Sequence, residues 1–196
     1  MGYYITNAKR FLPQKELFMS KKVLVIASSP RRNGNSEILC DAFIEGAFSA
    51  GNQVEKVTLA GKKINFCTAC YHCRSGKCAF NDDAPQIIQQ MLDSDVIVLA
   101  TPVYFYTMCA QLKALIDRSV MVYPEIKAKD FYYLMTMAET DESMFKGTIE
   151  ALRGFAACCE NSRECGIIAV PGVYEAGSIN GNPALEKARI MGANIK

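Results

Sequence analysis

The chain is 196 residues long, enough for one well-filled domain with room for an appendage. Half of its residues are hydrophobic and 21% are charged, which excludes wholesale disorder. Lys and Arg number 22 against 20 Asp and Glu, and this net charge of +2 gives no reason to expect nucleic acid or an anionic membrane as a partner. The longest apolar runs, such as 23–27 and 96–100, are far shorter than the roughly 18 residues of a membrane span. Nine cysteines fall well below the roughly 8–10% of a disulfide-built secreted chain, and four of them crowd between positions 67 and 78. The opening segment has no secretory apolar region. The expectation is a soluble, reduced, cytoplasmic protein with one special cysteine loop.

Residues 1–18 mix tyrosines, basic residues and Pro13. Gly2 and Thr6 fit a short myristoylation pattern, a match too brief to carry an assignment. Met19-Ser20-Lys21-Lys22 reads as a natural start. The segment 1–18 is therefore taken as an N-terminal extension without assigned function, and 19–196 as the domain.

Val23-Leu24-Val25-Ile26-Ala27 has the signature of a strand buried on both faces. A loop of Ser, Pro, Arg, Asn and Gly follows over 28–35. Ile38, Leu39, Ala42, Phe43 and Ala47 then recur at helical spacing, and Gly51 closes that helix. A second strand is expected over 53–58. Asp82 or Asp83 caps a helix over 84–92, and 95–100 is another buried strand. Leu112, Leu115, Ile116 and Val120 mark a helix, and 131–137 a strand. Phe145, Ile149, Leu152, Ala156 and Cys159 stripe a further helix before a last strand at 166–170. Asn182 and Pro183 start a final helix that Gly192 ends. Five strands alternating with five helices predict a doubly wound α/β domain with a parallel sheet covered on both faces. The one irregularity is a Cys-rich insert at 64–82, after the second strand.

The first strand leads through Ser28-Ser29-Pro30-Arg31-Arg32-Asn33-Gly34-Asn35-Ser36 directly into a helix. Free backbone N–H groups and the helix dipole make such a start an anion site. Ser29, Asn35 and Ser36 add side-chain donors, and Arg31 or Arg32 adds charge. The loop suits a terminal phosphate dianion. It has neither the G-x-x-x-x-G-K-[ST] of an ATP loop nor the G-x-G-x-x-G that holds a dinucleotide. The third strand runs into Thr101-Pro102-Val103-Tyr104-Phe105-Tyr106, where polar turn residues would be usual. Three aromatics there suit a wall for a flat ring, or an oligomer interface. Ala138-Glu139-Thr140-Asp141 is a polar loop at the same sheet edge. With strand order 2-1-3-4-5, the first and third strands meet at the topological switch point, and the ligand crevice is expected between these loops.

Ser29-Pro30-Arg31 with Gly34-Asn35-Ser36, then Pro102-Val103-Tyr104, Leu112-Lys113 and Ile116-Asp117-Arg118, resemble the NADPH-dependent FMN reductase superfamily, which has a flavodoxin-like fold. Cys67-x2-Cys70-x2-Cys73-x4-Cys78 followed by Asp82-Asp83 resembles its iron–sulfur flavoprotein branch. The tail, with Gly172-Val173-Tyr174, Gly177, Pro183-Ala184-Leu185 and Lys187-Ala188, is similar to the same relatives. The resemblance covers about residues 20–194. It implies FMN with its phosphate on Ser29, Arg31, Asn33, Asn35 and Ser36. The ring would lie against Pro102, Val103, Tyr104, Phe105 and Tyr106, with Ala138, Glu139 and Thr140 nearby. It also implies a homodimer or homotetramer with the flavin near a subunit interface.

The cysteine spacing lets one short loop wrap three thiols around a single centre, with Cys78 as a fourth. Cys67, Cys70, Cys73 and Cys78 are thus candidate ligands of a [4Fe–4S] cluster. Unligated thiols, zinc or a disulfide remain open at this stage. His72, the only histidine, is taken as a bystander, and Cys40, Cys109, Cys158, Cys159 and Cys165 as small core residues. The expected function is an FMN-dependent oxidoreductase with NAD(P)H as electron donor. The acceptor would be a quinone, a nitro or azo compound, flavin or a redox protein. The alternative is a non-enzymatic FMN and iron–sulfur electron carrier. No side chain stands out as a general acid or base.

Overall fold

The computed structural model describes residues 20–196, so the extension assigned to 1–18, with its myristoylation pattern, lies outside the described residues. Five parallel strands stand in the order β2-β1-β3-β5-β6: β1 (Lys22–Ala27), β2 (Gln53–Thr58), β3 (Val96–Tyr104), β5 (Asp130–Thr136) and β6 (Arg163–Val170). A short β4 (Thr107–Met108) folds back antiparallel on the end of β3. This is the flavodoxin-like order expected from the sequence, with one added hairpin arm.

The continuous apolar runs split by alternation. Leu24, Ile26, Ile97, Leu99, Phe131, Tyr133 and Met135 face one core. That side is covered by α2 (Ala84–Asp93), α3 (Ala110–Arg118) and α4 (Lys146–Ala157). Val23, Val25, Val96, Val98, Ala100, Tyr132 and Leu134 face the other core, under α1 (Asn35–Ser49) and α5 (Ala184–Ala193). Period two on a doubly covered sheet needs apolar residues at both parities, hence the unbroken runs.

Gly51 takes φ +87° just past α1, the left-handed conformation expected of a helix stop. Gly192 behaves differently: it lies inside the last turn of α5 rather than ending the helix. A Cβ there would stand 2.2 Å from Phe43 O, and one at Gly46 would stand 1.9 Å from Arg189 O. The two glycines let α1 and α5 cross in backbone contact. Asn182 does cap α5, its Oδ1 accepting from the Ala184 amide at 2.9 Å.

Of the five cysteines expected in the core, Cys40, Cys109 and Cys159 are buried, but Cys158 and Cys165 are exposed. Cys158 follows the end of α4, and Cys165 sits on the sheet-edge strand β6 at the register shift that leaves it unpaired between Glu164 and Gly166.

Candidate functional site

At the C-terminal edge of β1, β3 and β5, a cleft is lined by Ser29, Arg31, Gly34, Asn35 and Ser36 on one side. Pro102, Val103, Tyr104 and Ala138 line another side, with Thr136, Met137, Val173, Tyr174 and Ala176 completing it. The switch point between β1 and β3 thus opens where the strand order requires.

The loop before α1 is tight. A Cβ on Gly34 would meet Arg31 O at 3.2 Å and Ser29 Oγ at 3.3 Å. Ser29 is already committed locally, accepting from the Arg31 amide at 3.1 Å and donating to Arg31 O at 3.2 Å. Asn33 turns the chain at φ 55°, and its amide donates to Glu37 Oε2 at 2.7 Å. α1 begins without a side-chain cap. The Asn35 and Ser36 amides donate to no group among the described residues, as the first turn of a helix leaves them.

The Asn35 side chain is spent elsewhere. Its Nδ2 donates to Glu175 O (2.8 Å), Ser178 Oγ (3.2 Å) and Val173 O (3.3 Å), and Oδ1 accepts from the Ile179 amide (3.3 Å). It ties the loop after β6 to the start of α1 and so builds the cleft's far wall. The hydroxyl of Ser36, 3% exposed, has no partner among the described residues. Of the expected phosphate donors that line the cleft, Ser36 is therefore the one whose hydroxyl is left available, and Asn33 does not line it. Arg31 leans on Tyr174, donating Nη1 to its carbonyl at 3.2 Å with the guanidinium 5.9 Å from the ring centre.

β3 is longer than expected and carries Pro102, Val103 and Tyr104 as strand residues. The chain then reverses through Phe105 (φ 47°) and Tyr106 (φ 62°), pairing Tyr104 with Thr107 and Val103 with Met108. Two positive φ angles make this a two-residue hairpin of the kind that favours Asn-Gly. Phe105 is fully exposed at its tip. Tyr104 lines the cleft; Phe105 and Tyr106 do not. Glu139 and Thr140 also stand off the wall. Glu139 Oε1 accepts from the Thr140 and Asp141 amides, and these bonds lower its carboxyl pKa.

A second cavity, of about 410 Å³, is lined by Cys67, Cys70, Cys73 and Cys78, with Arg118 and Phe80 at its base. Its loop is closed at the neck. Asp83 Oδ2 accepts from the Lys63 amide at 2.6 Å, and Asp82 Oδ2 accepts from the amide and side chain of Asn65 at 2.8 and 2.9 Å. Ala69 (φ 51°) and Tyr71 (φ 57°) turn the loop on either side of Cys70, and Cys67 and Cys70 remain exposed while Cys73 and Cys78 are half-buried. Hydrogen bonds from the His72 backbone and the Thr68 hydroxyl hold the Cys70 thiol below its ordinary pKa. His72 is exposed and lines neither cavity. Among the described residues no three Cys, His, Asp or Glu side chains converge on a point that could hold one ion. The four thiols line one shared cavity instead.

The description of the NADPH-dependent FMN reductase family matches residues 21–149, the stretch that carries both cavities' principal loops. The chain belongs to that family. It is 40% identical over 98 residues to an iron-sulfur flavoprotein of Archaeoglobus fulgidus, spanning 50% of this chain and 44% of that protein. It is likewise 40% identical over 99 residues to an iron-sulfur flavoprotein of Methanocaldococcus jannaschii, with 50% and 51% covered. The chain thus spans about half the length of the relatives it matches. An NAD(P)H:quinone oxidoreductase from Methanothermobacter marburgensis superposes with a TM-score of 0.66 at 18% identity, covering 90% of this chain and 96% of that one. That likeness shows the fold.

In this FMN reductase family member, sequence reasoning omitted the cleft residues Gly34, Thr136, Met137, Val173, Tyr174 and Ala176. One signal could have found the last three. The loop after the final strand ends at the same sheet edge and carries an aromatic, as the loop after the third does.

Proposed function

We propose that this chain is an FMN-dependent NAD(P)H oxidoreductase that also carries a [4Fe–4S] cluster on Cys67, Cys70, Cys73 and Cys78. The observation that carries the flavin assignment is one cleft joining an uncapped helix start to a strand end of Pro102, Val103 and Tyr104. The group fits. The unpartnered Ser36 hydroxyl and the Asn35 and Ser36 amides supply donors for a phosphate dianion. Pro102, Val103, Tyr104 and Ala138 give an apolar face for a ring. Thr136, 4% exposed with no side-chain partner among the described residues, offers a hydroxyl to a polar ring edge. Bound FMN would supply hydride acceptance and onward electron delivery. The chain's own residues bind the phosphate, orient the ring and keep water from one face.

The cysteine cavity fits a cluster through its four-thiol lining, and the likeness to two archaeal iron-sulfur flavoproteins favours the same group. Its rim exposes Tyr71 and Val120, with Phe66 beside Cys67 also exposed. An apolar rim around exposed thiols favours a redox protein among the acceptors, beside quinones, nitro or azo compounds and flavin. A homodimer or homotetramer in the cytoplasm completes the proposal. Among the described residues no helix is long and apolar enough to cross a membrane.

The test is anaerobic purification, mass spectrometry of the heat-released cofactor, and steady-state NAD(P)H oxidation with each acceptor class. FMN with turnover is expected. Recovery of FAD would overturn the phosphate assignment, and FMN without NAD(P)H oxidation would make the protein an electron carrier.

A further inference from the structure

The base of the cysteine cavity holds a charge that stability alone does not explain. Arg118, the last residue of α3, is 2% exposed, and the side chain of Asp82 is completely buried. Arg118 donates Nη1 to Asp82 Oδ2 at 2.7 Å and Nη2 to Oδ1 at 3.0 Å, a bidentate pair. Nη1 also reaches Asn65 O at 2.9 Å, and Nη2 donates to Cys78 Sγ at 3.2 Å. The Phe80 ring centre lies 5.1 Å from the guanidinium carbon, and Nε has no partner among the described residues. A buried ion pair is commonly no more stabilising than apolar side chains of the same volume. Its contact with a thiol lining the cavity supplies a different reason for it.

We propose that the Arg118–Asp82 pair is the electrostatic control of the cysteine cavity. Arg118 fixes the Cys78 sulfur and favours the more electron-rich state of whatever that sulfur ligates. Asp82 holds the guanidinium in place and limits the effect. The inference rests on the cluster assignment above. Hydrogen bonds to sulfur and nearby charge are levers on a cluster's reduction potential, so Arg118 raises it and the carboxylate lowers it. The signature is therefore one of sign: weakening the bond to sulfur and neutralising the carboxylate move the potential in opposite directions.

Wild type, Arg118→Lys and Asp82→Asn would be purified anaerobically and reconstituted with iron and sulfide. Iron, acid-labile sulfide and FMN per chain are measured, and the cluster and flavin potentials are read by spectroelectrochemical titration. Lysine keeps the charge, but one ammonium cannot bridge the carboxylate, Asn65 and Cys78 as the planar fork does. Wild-type iron content is expected in both variants. The cluster potential should shift negative in Arg118→Lys and positive in Asp82→Asn, with the flavin potential unmoved. Shifts of one sign, or none, at full iron content overturn the proposal, because a merely structural clamp loosens alike whichever partner is changed. If only one variant takes up iron, the sign of its shift decides. Loss of iron from both variants also overturns it, since the pair is then a clamp. Wild type with FMN but no iron overturns the cluster assignment and this inference with it; flat potentials in iron-loaded protein overturn this inference alone.

Discussion

The hairpin beside Tyr104 places two bulky residues where the backbone asks for glycine. Phe105 at φ 47° and Tyr106 at φ 62° each incur roughly 1–2 kcal/mol for a left-handed conformation. Replacing the pair with Asn-Gly keeps the turn type and removes most of that strain. Little packing goes with it, because Phe105 is fully exposed and Tyr106 is 53% exposed. About 1 kcal/mol of half-ring burial is lost with Tyr106, and glycine adds roughly 0.5–1 kcal/mol of chain entropy. The balance is a stabilisation of about 1 kcal/mol, or roughly 2–4 °C in the melting temperature of a chain this size. Flavin-free protein is the right sample, since bound FMN would add its own stabilisation. The same double variant should oxidise NAD(P)H more slowly, because strain retained next to a ligand cleft is retained for function. A lower melting temperature in the flavin-free variant would refute the strain argument. Undiminished turnover would refute its functional half.

Three further outcomes follow from single contacts. Ser36→Ala should weaken FMN about ten- to a hundredfold, the roughly 1.5–3 kcal/mol of one donor to a charged acceptor, in a flavin fluorescence titration. An unchanged affinity would put the phosphate elsewhere. Gly192→Ala should cost about 1–3 kcal/mol by forcing α5 off α1, where the new Cβ would stand 2.2 Å from Phe43 O. A denaturant midpoint equal to wild type would show that the helices slide freely. Burial alone would raise the Asp82 carboxyl pKa, but donors from Arg118 and Asn65 outweigh it and hold the group well below the usual range. Its contribution to stability is thus complete above the unfolded value of about 3.9 and is lost as pH falls below that. Asp82→Asn should be about 3 kcal/mol less stable at pH 7 and lose less on acidification, and an acid-unfolding curve parallel to wild type would contradict this.

What the sequence made legible is what short-range pattern controls. The strands declared themselves as β-branched runs, and their alternation with helices leaves few topologies. The cleft followed, because a doubly wound sheet opens at its switch point whatever the loops contain. The cysteine loop was visible as spacing. Four features were not, and each depends on a partner distant in sequence or on a local rule broken. The Asn35 side chain looks like a phosphate donor until Val173, Glu175, Ser178 and Ile179 arrive from the far end of the chain. Gly192 looks like a helix stop until α1 is packed against it.

The hairpin and the buried pair are more informative, because there the local rules and the fold disagree. Nothing in Tyr104-Phe105-Tyr106-Thr107 announces a two-residue turn, since turn chemistry would put small or amide residues at its centre. Asp82 reads as a helix cap, and it does accept from the Ala84 amide at 3.2 Å. Its stronger partner is Arg118, 36 residues away, at the end of a helix whose other end follows the hairpin. α3 therefore runs about 14 Å between the strained aromatic turn and the charged base of the cysteine cavity. A chain selected for stability alone would relax the first and fill the second with apolar side chains. Both departures sit at the ends of one rigid element: the turn lies just before its start, and Arg118 at its end lines the cysteine cavity. That helix therefore sets the distance between the charged base of the cysteine cavity and the hairpin whose first strand carries Tyr104 into the cleft.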